Sequence, residues 1–168
     1  YVNEIDFSGD SRYLLGTINQ NTLNFPLRFD YILSPTLSIQ YWGQPFISQG
    51  VYKDFKFVDD PLGNRLNQRL SALSQEQLTL DGGTYLVDED TNGSTDYSFF
   101  QPDFAFVQWR SNMVMRWEYV PGSELYVVWS QDASNFGDFN TGLTTNLRNN
   151  IRQINNIFLV KLTYRFIR

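Results

Sequence analysis

Residues 107–129 read VQWRSNMVMRWEYVPGSELYVVW, and polar and apolar residues take turns along most of it. Val107, Trp109, Met113, Met115, Trp117 and Tyr119 share one parity with Ser111. Gln108, Arg110, Asn112, Arg116 and Glu118 share the other, and Val114 breaks the polar row. Successive side chains of a β-strand point to opposite faces, so a period of two marks a strand with one apolar and one polar face. VPGS at 120–123 supplies turn residues, after which Leu125, Val127 and Trp129 resume the apolar parity. Matching like faces across this turn places Trp117 opposite Leu125. The apolar face could cover a core or meet lipid, and the polar face could meet bulk water or a wet interior.

Outward from this hairpin the pattern recurs. Tyr13, Leu15, Leu23, Phe25, Leu27, Phe29, Tyr31 and Leu33 hold odd positions and Asn24, Arg28 and Asp30 even ones, which reads as one long strand. Ser34 and Pro35 turn the chain into Leu37, Ile39 and Tyr41, opposite Ser38, Gln40, Trp42 and Gln44. Near the C-terminus, Phe158, Val160, Leu162, Tyr164 and Phe166 lie opposite Lys161, Thr163 and Arg165. The expected architecture is all-β and antiparallel, with about five long strands at 13–33, 36–58, 104–119, 124–133 and 153–166.

Composition narrows the function. The 168 residues carry a net charge of −5 with 18% charged residues, which argues against an electrostatic nucleic-acid binder. With no cysteine there is neither a disulfide framework nor a thiolate metal site, and with no histidine the Ser-His and Cys-His catalytic pairs are excluded from this segment. Aromatic residues make up 17% although the mean hydropathy is −0.36, and no apolar run is long enough for a membrane helix. The chain opens at Tyr1 on YVNEIDFSGD, which already reads as strand, so a fragment or processed chain is expected.

The connections are lopsided: two are tight, at 34–36 and 120–123, and two are long and polar, at 48–103 and 134–152. Short turns at one end of the sheet and long loops at the other are the pattern of an outer-membrane barrel, with the loop at about 59–103 extracellular. Trp109 and Tyr119 lie ten residues apart on one face. A tilted strand converts that into a height of ~25 Å, close to the outward apolar band. Tyr31, Trp109, Trp117, Tyr119, Trp129, Tyr164 and Phe166 are therefore expected as aromatic girdles. Met113, Met115, Leu125, Val127, Phe158, Val160 and Leu162 join Trp109 and Trp117 facing lipid. Arg28, Asp30, Arg110, Arg116, Glu118, Lys161 and Arg165 would line the lumen and cross-link it, with Arg116 beside Glu118 and Arg28 beside Asp30. A soluble β-sandwich or lipocalin-like barrel, with the same charges on a solvated face, is the alternative.

The stretch DEDTNGSTD at 88–96 spaces Asp88, Asp90, Asn92 and Asp96 as oxygen ligands at alternate positions around Gly93, as a calcium loop does. Phe99 replaces the bidentate Glu at the twelfth position, so Ca²⁺ binding is expected to be weak. Leu62, Leu66, Leu70 and Leu73 have helical spacing and predict a short amphipathic helix over 62–73. DGG at 81–83, between QLTL and TYLV, predicts a small hairpin.

The runs LGTINQNTLNFPLRFDYILSPTLSIQYWGQPFISQGVYKDF, FFQPDFAFVQWRSNMVMRWEYVPGSELYVVWSQ and NNIFLVKLTYRF resemble the C-terminal end of a large Bacteroidetes-type outer-membrane family. RSNMVMRWEYVPGS is the most specific part. Members of that family combine a signal peptide, a family 9 carbohydrate-binding-like module and a large β-barrel domain of unknown function. The resemblance implies the C-terminal segment of a bigger barrel in a Gram-negative outer membrane, and it implies no activity. Outer-membrane strands usually end on an aromatic residue, whereas here Ile167 and Arg168 follow Phe166. The expectation is a non-enzymatic barrel, a pore or an anchor and scaffold in an envelope complex, linked to carbohydrate binding or uptake through an upstream module. Its partners would be outer-membrane lipid and the remaining strands of the same polypeptide or other barrel chains. A soluble sugar-binding β-domain and a membrane-embedded hydrolase stay open beside it.

Overall fold

The computed structural model describes residues 1–7 and 9–166. Ser8, Ile167 and Arg168 are outside the described residues, and with them the expectation about the terminal aromatic. Strands hold 63% of the chain and helices 7%, and the pairings are antiparallel, so the fold is all-β. In chain order the elements are β1 (Asn3–Phe7), β2 (Asp10–Asn24), β3 (Leu27–Ser34), β4 (Leu37–Val58), α1 (Leu66–Arg69) and β5 (Leu70–Ala72). They continue with β6 (Leu78–Asp81), β7 (Thr84–Val87), β8 (Tyr97–Phe100), β9 (Phe104–Val120), β10 (Ser123–Phe136), α2 (Leu143–Asn150) and β11 (Asn155–Thr163). Two compact units arise: Tyr1–Gln20 with Gly50–Asp103, and Asn21–Gln49 with the chain from Phe104 onward.

In the second unit β4, β9, β10 and β11 follow one another in the sheet, and β3 also pairs with β4. Trp117 stands opposite Leu125, as like faces required, in a register that runs from Val120 to Phe106 with one irregularity at Ser123/Glu124. The turn is two residues long, and φ of 80° at Gly122 after Pro121 is the conformation a type II turn demands, where glycine carries no steric cost. The expected strand 13–33 is two strands. Pro26 has no N–H to give a ladder, so the ladder is interrupted there, after Phe25 N–H donates to the Pro45 carbonyl at 3.1 Å, and resumes as β3 against the same β4 from Leu27–Gly43 onward.

The polar stretch 134–152, expected as a loop, contains α2. Leu143 and Leu147 stand one turn apart and are half-buried, and the segment before them is ordered by polar bonds. Buried Gln49 on β4 donates its amide to the carbonyls of Thr141 at 2.6 Å, Asp138 at 3.3 Å and Phe139 at 3.4 Å. Buried Asn146 on α2 donates to the carbonyls of Asp138 and Thr141 and accepts from Asp138 N–H at 3.1 Å. Backbone carbonyls that a loop would otherwise leave dry are thereby satisfied.

The first unit has its own core of Leu14, Phe55, Leu73, Val87, Tyr97 and Phe99. The rings of Phe55, Tyr85 and Phe99 lie 5.0–5.2 Å apart in tilted, edge-on and stacked pairs. β6, β7 and β8 form a small sheet, and the hairpin expected at DGG is its β6–β7 turn, with Gly82 and Gly83 both at positive φ. The helix expected over 62–73 shrinks to the four residues of α1. Leu70 instead opens β5, which pairs with β4 through Val58–Leu70, Phe57–Ser71 and Lys56–Ala72. Leu62 is 89% exposed while Leu73 is 8% exposed, so the four leucines share no face. The open edge of β4 offers that segment ladder hydrogen bonds, and these outweigh a marginal helix too short to nucleate on its own.

Candidate functional site

The β9–β10–β11 ladder sorts the chemistry of the second unit by face. On one face Trp117–Leu125–Leu162, Met115–Val127–Val160 and Met113–Trp129–Phe158 form three consecutive apolar rows. None of these side chains is buried by protein, and those of β11 are 65–67% exposed. Next comes a polar row, Ser111–Gln131–Asn156, where Gln131 accepts from the Ser111 hydroxyl at 2.9 Å and donates to Asn156 at 3.1 Å. Two indoles edge this row: Trp129 donates to Asn156 at 2.9 Å, and Trp109 donates to Gln131 at 3.4 Å. At the short-turn end Trp117 meets Tyr119 edge-on, Tyr164 meets Phe166, and the Tyr119 hydroxyl donates to the Thr163 carbonyl at 3.3 Å. Tyr31 lies opposite Ile39 on β3, 66% exposed. Aromatic rings with a polar partner thus flank both ends of the apolar rows.

The opposite face carries ion pairs. Arg110 faces Asp132 in register and pairs with it at 3.4 Å, and Arg28 Nε donates to Asp30 at 3.1 Å. Arg116 does not pair with Glu118, as sequence neighbours suggested, but with Glu124, through its Nε at 3.1 Å and through its terminal nitrogen. Glu118 stands directly opposite Glu124, and the Gly122 N–H donates to it at 2.8 Å. The tight turn therefore gives Glu118 a partner of its own and leaves Arg116 for the acid across the ladder. Lys161 reaches over the Tyr126 ring at 5.9 Å, and Arg165 packs beside Gly122. Arg28, Gln40, Trp42, Asn112 and Val114, with Tyr41, line a shallow hollow in this unit.

In the first unit Asp88, Asp90 and Asp96 converge, with a ligand atom of each within 4.8 Å of the others. Asn92, the fourth expected ligand, is turned inward: its side-chain amide donates to Asp90 at 2.8 Å and its oxygen accepts from Ser94 N–H at 2.8 Å. Asp88 accepts from Gly93 N–H at 2.7 Å and Asp96 from Glu89 N–H at 2.8 Å, so backbone donors offset the mutual repulsion of the carboxylates. Phe99, at the twelfth position, is buried in the core and cannot approach a cation. Glu89 is engaged elsewhere, paired with Arg12 at 3.0 Å and accepting from the Tyr97 hydroxyl. Burial first, and then the bond to Glu89, push the Tyr97 hydroxyl far above its ordinary ionisation range. The Arg12 guanidinium lies 4.3 Å from the Phe57 ring centre and 5.3 Å from that of Phe7, which ties the root of the acidic loop to the aromatic core.

A family model described as a domain of unknown function, DUF5916, matches residues 1–167. The chain belongs to that family. No curated protein and no solved structure matches it significantly. The match spans both the two-faced sheet and the acidic loop, so both are parts of the DUF5916 domain, and it carries no statement about carbohydrate.

Two residues of the DUF5916 sheet escaped the sequence reading, Glu124 and Asp132. Extending the Trp117–Leu125 register along the hairpin would have found them, since it sets Arg110 opposite Asp132 and Glu118 opposite Glu124. Replacing Arg116 by Met is expected to leave Glu124 without its cation, face to face with Glu118, and to lower the melting temperature in detergent. An unchanged melting temperature would mark a freely solvated face instead.

Proposed function

We propose that this DUF5916 chain is a section of an outer-membrane β-barrel that acts as a pore or as the anchor and scaffold of an envelope complex, without catalysis. What carries the reading is the pairing of three uncovered apolar rows on one face with ion pairs on the other face of the same strands. In water such rows would present a contiguous apolar patch. In a bilayer they match lipid, and the flanking indoles and phenols suit the interface. β3 and β11 each have only one partner strand among the described residues. Open edges in lipid cost several kcal/mol per unsatisfied backbone group, so further strands, from the same polypeptide or other chains, complete the barrel. Carbohydrate uptake enters only through the resemblance to proteins with an upstream family 9-like module.

Folding into vesicles of brominated lipid tests this directly. Trp117 and Trp129 are expected to be quenched and Trp42, beside Arg28 and Gln40, to be spared. A chain that folds as a monomer in buffer without detergent would sink the barrel and favour the soluble sugar-binding β-domain.

We also propose that the 88–96 loop binds Ca²⁺, a reading supported by the convergence of Asp88, Asp90 and Asp96. With Phe99 buried, the cation would take these three carboxylates, Asn92 after its amide turns, a backbone carbonyl and water. The expected affinity is weak, a Kd of ~10⁻⁴ to 10⁻³ M. Calcium is expected to protect the chain from proteolysis between Gly82 and Ser98, and equal cleavage with calcium and with chelator would leave only an acidic loop.

A further inference from the structure

We infer that the free edge of β11 receives a strand bearing carboxylates on the row of Lys161 and Arg165 and apolar side chains on the row of Val160 and Leu162. The inference rests on the barrel proposed above and names the chemistry of the neighbour that continues it. On the polar face the charges of the inner strands are spoken for. Arg28 holds Asp30, Arg110 holds Asp132 and Arg116 holds Glu124, whose second oxygen accepts from the Tyr126 hydroxyl at 3.0 Å. Glu118 is capped by Gly122 N–H. Lys161 on β11 and Arg165, two residues past its end, share the polar parity, and among the described residues neither has a carboxylate within ion-pair distance. From the β10 side Lys161 lies over the Tyr126 ring, and Glu124, already bonded to Arg116, acts on it only from beyond ion-pair distance.

Two cations of one parity on a confined, poorly solvated face repel each other unless acids lie nearby, and among the described residues no strand occupies the open edge of β11. Cross-strand neighbours stand about 4.5–5.5 Å apart at Cβ, within reach of a carboxylate to either cation. The opposite face of β11 sets the other half of the pattern, since Phe158, Val160 and Leu162 continue the apolar rows and a strand beside them carries those rows on with apolar side chains of its own. A second copy docked through its β3 edge fits poorly. The polar row it would bring holds Arg28, Asp30 and Ile32, with the acid already paired to the cation. Lipid headgroups fit poorly too, because Lys161 shares its row with Tyr126 and Arg116, level with the apolar rows rather than beyond them.

The test uses the full chain in detergent micelles with labelled peptides of about ten residues, the length of a spanning strand. One alternates valine with glutamate, the other valine with lysine. The glutamate peptide is expected to bind about tenfold more tightly, as two cross-strand pairs turn from attraction to repulsion, and to slow amide exchange along β11. Lys161→Glu with Arg165→Glu is expected to reverse the preference, and Lys161→Gln with Arg165→Gln to abolish it without adding charge. Equal affinity for the two peptides, protection of β3 instead of β11, or equal competition by anionic lipid vesicles would overturn the inference. If the chain still needs detergent in those cases, the barrel itself stands. If it folds as a monomer in buffer, the barrel is lost, whatever the peptides do.

Discussion

Val127→Lys is expected to destabilise the chain in lipid vesicles by about 2–4 kcal/mol, the cost of a cation on the lipid face near the bilayer midplane. Val128→Lys, one residue on, is expected to cost about 1 kcal/mol or less. The two valines have the same volume and sit at the same depth. Val127 lies between Met115 and Val160 in the apolar rows, and Val128 between Val114 and Leu159 on the face of Arg116 and Lys161. In the proposed barrel a single step along β10 changes the medium and little else. Urea unfolding midpoints of the two variants in the same vesicles measure the difference. Equal losses would mean that both faces meet the same solvent, and the membrane reading would fall.

Phe99→Ala is the second large effect. Phe99 is 3% exposed, edge-on to Phe55 and stacked on Tyr85, so truncation removes a whole ring and leaves a cavity. The expected loss is about 3–5 kcal/mol. All four tryptophans belong to the other unit, so their emission is expected to stay native while amide exchange speeds up in β7 and β8. The acidic loop is expected to lose its protease resistance as well, since Phe99 anchors the strand that follows it. Unchanged exchange in β7 and β8 would show that the ring packs more loosely than its contacts indicate.

Much of this architecture was legible because period-two patterning and tight turns constrain each other. Pro121–Gly122 leaves room for only one register in which Trp117, Met115 and Met113 meet Leu125, Val127 and Trp129, and that register is the one observed. Gly82–Gly83 between the short strands Leu78–Asp81 and Thr84–Val87 works the same way. The reading failed where a distant partner decided the local state. Leu66 and Leu70 have helical spacing, but a strand edge on β4 captured Leu70–Ala72. α2 carries only Leu143 and Leu147 at helical spacing, too short a period to stand out, and the segment before it is held by polar groups, Gln49 from far upstream and Asn146 of the helix. Pro26 sits between Phe25 and Leu27, and the parity of the apolar residues continues past it although its missing N–H interrupts the ladder. The acidic loop was readable as a spacing, yet that spacing says nothing of Phe99 being drawn into the core.

The amide of Gln49 reaches carbonyls 89–92 residues further along the chain. Closing so long a loop costs conformational entropy before any bond forms, whereas β9 and β10 meet across two residues. The order of assembly is therefore built into the connectivity. The β9–β10 hairpin zips from Pro121–Gly122 with local contacts alone. In the segment 137–142 Asn146 offers the carbonyls of Asp138 and Thr141 a local donor, while the Phe139 carbonyl waits for β4 to present Gln49, so this connection is completed last.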